Sequence, residues 1–352
     1  MRTLLPPGLL WTGLALLAMA PLTFAETPSG SRLVEDVVEV FTVEDGLPSN
    51  VVRAIEQTPD GYLWLGTANG LVRFDGLTFT TFNAGNMPAL TGSWIEELSV
   101  SGDGSLWIAP HSGGLIRHHR GVATRHAEDL LESPVTALAA GSGSSLWVGT
   151  AEGRLFRFDG ERLGAVPMPG VAGPRRITSV HEDERGVVWI ASPEAGVYRL
   201  DGGRWDLFGR GSSFDGDRVR ALTSDASGAL WVAAQGGLFR HADGEFSAVD
   251  LPRLSWSEAW GLRSFAVDDA GRLWCGGIGL VRGRSDSFEL LGPDDGLPDL
   301  RVQDVFVDGE ASVWVGTFRG LARFSRGRFS SYVSDAPAYF GQTLLETADG
   351  AV

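Results

Sequence analysis

From residue 37 onward, short apolar runs alternate with turns that carry Gly and Asp. One such unit reads Val51-Val52-Arg53-Ala54-Ile55, then the turn Pro59-Asp60-Gly61, then Tyr62-Leu63-Trp64-Leu65-Gly66-Thr67. A second turn at Asn69-Gly70 leads to Leu71-Val72-Arg73-Phe74, and a third at Asp75-Gly76 leads to Thr78–Phe82. Asp-Gly between apolar runs is a strong hairpin signal, because Gly accepts positive φ. The pattern predicts four short antiparallel strands in about 42 residues.

The unit repeats. Its tryptophan returns as Trp107, Trp147, Trp189, Trp231, Trp274 and Trp314, at intervals of 43, 40, 42, 42, 43 and 40 residues. A lone four-stranded sheet cannot bury both of its faces, but seven stacked in a ring cover one another. The expected fold is therefore an all-β, seven-bladed β-propeller with four-stranded antiparallel blades over residues 26–335, the tryptophans lying where blades meet. The third strand of every unit also carries an arginine: Arg73, Arg117, Arg157, Arg199, Arg240, Arg282 and Arg323. A residue present in every blade cannot mark one site. It reads as a structural ladder, paired with carboxylates.

Both ends depart from the pattern. Residues 37–48 (VVEVFTVEDGLP) form half a repeat, one strand that could close the ring by joining the last blade. Phe329–Val333 offers a fourth strand for the same place, and the sequence leaves the choice open. Residues 336–352 are expected to begin an eighth repeat, so the chain reads as part of a longer protein. Residues 1–25 have the form of a signal peptide: Arg2, an apolar run from Leu9 to Leu22, and Thr23-Phe24-Ala25 before the expected cleavage. That places the product in the periplasm.

Composition narrows the chemistry. The net charge of −15 disfavours nucleic acid as a partner. All 29 basic residues are arginine, so a Walker lysine, a kinase-type ATP lysine and a Schiff-base lysine are excluded within this chain. The single cysteine, Cys275, stands where other units hold Leu65, Ile108 and Val148, and reads as a small apolar core residue. The six histidines show no zinc-like spacing, and neither a metal nor a cofactor is expected.

The segments Asp45–Asn50, Asp60–Thr67 and Gly70–Gly76, with a second good copy from Asp295 to Phe324, resemble the two-component regulator propeller repeat. The resemblance covers roughly residues 36–352. It implies a periplasmic sensor propeller of a hybrid histidine kinase or diguanylate cyclase. It further implies a small extracellular ligand such as a carbohydrate, a second propeller or output module in the parent protein, and homodimerisation through that parent. No enzymatic activity is expected of this chain itself.

Candidate ligand residues are those that interrupt the repeat in the linkers between blades or, for His111, just after the tryptophan strand, because these segments converge on one face of a propeller. They are Trp256, Trp260 and Trp94, with Arg175, Arg176 and His111. Against a sensor stand two other readings of the same fold, a protein-interaction platform and a propeller lyase.

Overall fold

The computed structural model describes residues 32–333 apart from 127–130, 132, 170–175, 210–213, 215–216, 236, 250, 252–260 and 285–286, with backbone alone at 32–35, 217 and 326–333. The chain divides into two units. One is Asp36–Arg328; the other comprises the residues up to Glu35 and those from Phe329, of which only the strand ends 32–35 and 329–333 are described. The expected leader, the boundary at residue 335 and the eighth-repeat segment lie outside the described residues.

Asp36–Arg328 contains seven four-stranded antiparallel sheets and, among the described residues, only two short 3-10 turns, Val43–Asp45 and Pro293–Asp295. Blade 1 is built from Val52–Gln57, Leu63–Thr67, Gly70–Phe74 and Phe79–Phe82, in the order read from the sequence. Blades 2 to 6 follow at residues 95–126, 135–166, 179–208, 217–249 and 264–291. Blade 7 starts at Val302, and its inner strand touches that of blade 1, which closes the ring of a seven-bladed propeller.

The N-terminal strand Arg32–Phe41 takes the outermost place in blade 7. Residues 329–333 do not compete for it, because the third strand runs on unbroken from Leu321 to Val333. From Asp36 onward the closing strand is held by side chains as well as backbone. Asp36 pairs with Arg282, Glu39 lies 3.6 Å from Arg323, and Phe41 stacks 5.9 Å from Trp314.

Each of the seven interfaces between blades holds its own apolar cluster, and each contains one repeat tryptophan. Trp64 packs with Ile95 and Ile108 of blade 2; Trp314 packs with Val52 and Leu65 of blade 1. The residue after each tryptophan points the other way, as strand geometry requires: Leu65 joins the interface with blade 7, Ile108 that with blade 1. Cys275 occupies this second position, 1% exposed, and burial pushes its thiol well above the usual range. Next comes a residue that must be small. A Cβ at Gly149 would lie 2.4 Å from Ile177 of blade 4, so a side chain there would push the blades apart.

Every buried indole needs an acceptor for its N–H. In six blades the acceptor stands six residues earlier: Thr58, Ser101, Asp183, Asp225, Asp268 and Asp308, at 2.7–3.4 Å. In blade 3 that position is Gly141, and Trp147 donates instead to Glu182 of blade 4 at 2.5 Å. The third-strand arginines lie directly across from the tryptophans in the sheet register. Six guanidinium groups cover the facing indole at 5.0–5.9 Å, and Arg73 covers Tyr62 at 4.3 Å. Carboxylate pairing, the expectation from sequence, is found for Arg117, Arg199, Arg240, Arg282 and Arg323. The aromatic contact is thus the more constant of the two.

Candidate functional site

The inner strands of the blades do not run straight. In blades 1, 2, 3 and 7 the pairing with the second strand skips one residue, at 52/54, 95/97, 135/137 and 302/304. In blade 5 the irregularity spans Asp217 to Ala221. Such bulges re-aim a side chain out of the sheet. The residue eleven before the repeat tryptophan falls within the bulge in these five blades and just before the inner strand in blades 4 and 6: Arg53, Glu96, Thr136, Thr178, Arg220, Arg263 and Gln303. All seven line one cavity of about 920 Å³. It is the central channel, opening at the end of the ring where inner strands begin and second strands finish.

The channel wall is electrically uneven. On the side of blades 7, 1 and 2 it carries Asp304, Glu96 and Glu97, with Glu56 behind it. Burial, followed by the charge of Asp304, pushes Glu97 and Glu56 up to about 8. Burial likewise lifts Asp304 to about 6, although its oxygens accept from the Ser264 hydroxyl at 2.6 Å and the Ile55 N–H at 2.8 Å. Near neutral pH the Glu97 carboxyl is therefore mostly protonated and can donate as well as accept. Glu96 is ionically paired with Arg53, and His111 Nδ1 lies 2.5 Å from its other oxygen. The Arg53 Nε is buried and has no partner. On the side of blades 4 to 6 the wall carries Arg176, Arg218, Arg220 and Arg263. Arg263 donates to Gln303 at 2.8 Å.

Of the six residues singled out from the sequence, three are described. His111 and Arg176 both line the channel. Trp94 is 40% exposed beside it, its ring 5.6 Å from His111 and under the Arg53 guanidinium at 5.5 Å. Arg175, Trp256 and Trp260 lie outside the described residues. Sequence reasoning missed Arg53, Glu96, Glu97, Arg218, Arg220, Arg263 and Asp304. Counting back eleven from each tryptophan reaches Arg53, Glu96, Arg220 and Arg263 once the fold is known, but not Glu97, Arg218 or Asp304. Among the described residues no group of three or more His, Cys, Asp and Glu side chains could hold a metal ion.

Residues 46–69 match the model of a family described as two component regulator propeller. No curated protein matches the chain by sequence. Among solved structures, the chain resembles the extracellular domain of the hybrid two component system BT3049 from B. thetaiotaomicron. That likeness has 21% identity and a TM-score of 0.69 over 83% of this chain and 42% of that one. The extracellular domain of BT4673 from the same organism gives 19% identity and a TM-score of 0.67, over 82% and 39%. This chain therefore spans less than half the length of either. A streptogramin B lyase has the same fold, with 15% identity, a TM-score of 0.67 and 98% of its length covered. At these identities the likeness is one of fold. The chain carries a two component regulator propeller repeat on a seven-bladed propeller.

Proposed function

We propose that this chain is the ligand-sensing propeller of a bacterial signal-transduction protein, exported from the cytoplasm, with its ligand seated at the mouth of the central channel. One observation carries the reading. The seven positions eleven before the tryptophans hold four residue types while the strand behind them repeats, and all seven face one shared space. A cavity of about 920 Å³ suits a small molecule. The repeat match and the likeness to extracellular domains of two component systems support a sensor rather than a freestanding module. The leader-like residues 1–25 support export.

In this reading His111 and Arg176 offer hydrogen bonds at the mouth, and Trp94 offers an aromatic face beside them. Arg175, Trp256 and Trp260 belong to linkers of the same kind and are proposed to share the rim. The output module and any second propeller belong to the parent protein. The test screens small extracellular compounds, neutral sugars included, for those that raise the melting temperature of the chain, then measures the affinity of any that do. Arg176→Ala and His111→Ala should each weaken binding at least about tenfold without lowering the melting temperature. A bound compound whose affinity ignores both changes would remove the channel mouth as the site. For export, a fused phosphatase that is active only outside the cytoplasm should be active; its silence with intact protein in the cytosol would refute the location.

A further inference from the structure

Three arginines on the channel wall have no ion-pair partner among the described residues. Arg176 precedes the inner strand of blade 4, and Arg218 and Arg220 lie in that of blade 5; all three face the cavity. Among the described residues none of the three side chains forms an ion pair or hydrogen bond. The carboxylates that share the cavity are engaged elsewhere or stand apart. Glu96 is held by Arg53 and His111, Asp304 by Ser264 and backbone N–H groups, and Glu194, on the blade 4 side, forms no ion pair with the three. Glu97 makes no ion pair with the three.

Two further observations show strain at this cluster. Arg218 has φ +50°, the left-handed region, inside a strand and within the widest bulge of the ring. The other non-glycine residues with positive φ among those described, Arg120, Asp243 and Ala311, sit at turns between strands. Backbone strain of this kind collects at ligand sites. In addition, burial, and after it the charges of Arg218 and Arg176, lower the affinity of Arg220 for its proton. Like charges have been gathered in a protein whose net charge is −15. A bound oxyanion would relieve the repulsion, and guanidinium forks match its geometry.

We infer that Arg176, Arg218 and Arg220 form an oxyanion subsite in the channel, so that the ligand is a small organic molecule bearing a carboxylate or sulfate group. On the wall opposite, the carboxylates Glu96 and Asp304 would repel a second anion, and the Glu97 carboxyl can exchange hydrogen bonds with hydroxyl groups. The ligand is accordingly a hydroxylated molecule with its negative charge at one end. This rests on the reading of the channel as the ligand site.

The test is calorimetric titration of the full chain with D-gluconate, with sulfate and with neutral D-glucitol. At least one of the two anions should bind, and more tightly than glucitol. Arg220→Met should weaken that binding about 10–100-fold, the loss of one charge-assisted hydrogen bond. Without anion the same change should leave the melting temperature level or raise it, because it removes a repelled charge. Arg218→Met serves as the second variant should the first fail to fold. Preference for gluconate identifies a carboxylate ligand, and preference for sulfate a sulfated one. The inference is overturned if neither anion binds better than glucitol, or if both variants bind anion as the parent does. A neutral sugar whose binding is lost in His111→Ala but kept in Arg220→Met would overturn this inference and leave the sensor reading standing.

Discussion

Two positions in each blade, eleven residues apart, answer to opposite rules. The later one is tryptophan in all seven blades; the earlier one is Arg, Glu, Thr, Thr, Arg, Arg and Gln in turn. The tryptophan meets the same surroundings seven times, an apolar interface with the next blade and an acceptor for its N–H, so one residue solves every case. The earlier position meets its six counterparts across a common space. Repetition there would place seven like side chains around one channel, whereas variety builds a site with distinct walls. The difference teaches that within one repeat the scaffold is what recurs and the site is what does not.

The largest expected effect breaks the scaffold side of this contrast. Trp107 is fully buried and donates to Ser101 at 2.9 Å. Replacing it with alanine should cost about 3–5 kcal/mol of stability in denaturant unfolding, whereas Thr178→Val on the channel wall should cost about 1 kcal/mol. Equal losses would mean that the two positions do not differ in kind.

Blade 3 sharpens the comparison, because there the scaffold borrows from its neighbour. Glu182→Ala strands the Trp147 N–H at a half-buried site and should cost about 1.5–3 kcal/mol. Restoring the usual acceptor with Gly141→Ser should not rescue it, since a Cβ at Gly141 would lie 2.4 Å from Ser145 Oγ and 3.1 Å from the indole nitrogen. Recovery of stability in the double variant would show that the blades are more independent than the structure implies.

A pH titration probes the channel side. Glu97, raised to about 8, binds its proton more tightly in the folded chain than in the unfolded one. Between roughly pH 4.5 and 8 the folded state therefore holds the extra proton, and stability falls as pH rises through that window. The expected fall is about 1–2 kcal/mol, allowing for water in the channel. Glu56 and Asp304, raised in the same direction, add to the slope, so Glu97→Gln should reduce it without abolishing it; an unchanged slope in that variant would assign the effect to those two groups. The smallest effect concerns the arginine ladder. Arg117→Met loses one indole contact and a half-exposed pair with Asp103, worth about 0.5–1.5 kcal/mol in thermal unfolding.

The fold was legible because its determinants are rare residues at regular intervals. Trp64 and its six counterparts announce the interfaces, and Asp-Gly turns announce the hairpins. Cys275 was readable as core from its place in the unit alone. Ring closure was not, because Val37–Phe41 and Phe329–Val333 are both good strands, and only the unbroken run of Leu321–Val333 decides between them. The channel was hidden for a different reason. Its residues have no common type, so no motif marks Arg53, Arg220 or Asp304. What places Arg53 and Arg220 is a bulge, a backbone event that alternating apolar and polar residues do not encode. Attention to residues that interrupt the pattern found His111, Arg176 and Trp94 near the mouth, but could not find a site formed by the pattern itself.

The closing strand has a consequence for how the molecule is made. Val37 accepts a hydrogen bond from Ser325, a residue 288 positions away. At a synthesis rate of ~5–20 residues per second, the strand leaves the ribosome or translocon tens of seconds before its partner exists. Through that interval it is an extended, partly apolar edge, the kind that invites pairing with other chains. Asp36 and Glu39, which later meet Arg282 and Arg323, give the waiting strand negative charge in a protein that is negative throughout. The same two carboxylates would thus first ward off neighbouring molecules and afterwards fasten the ring.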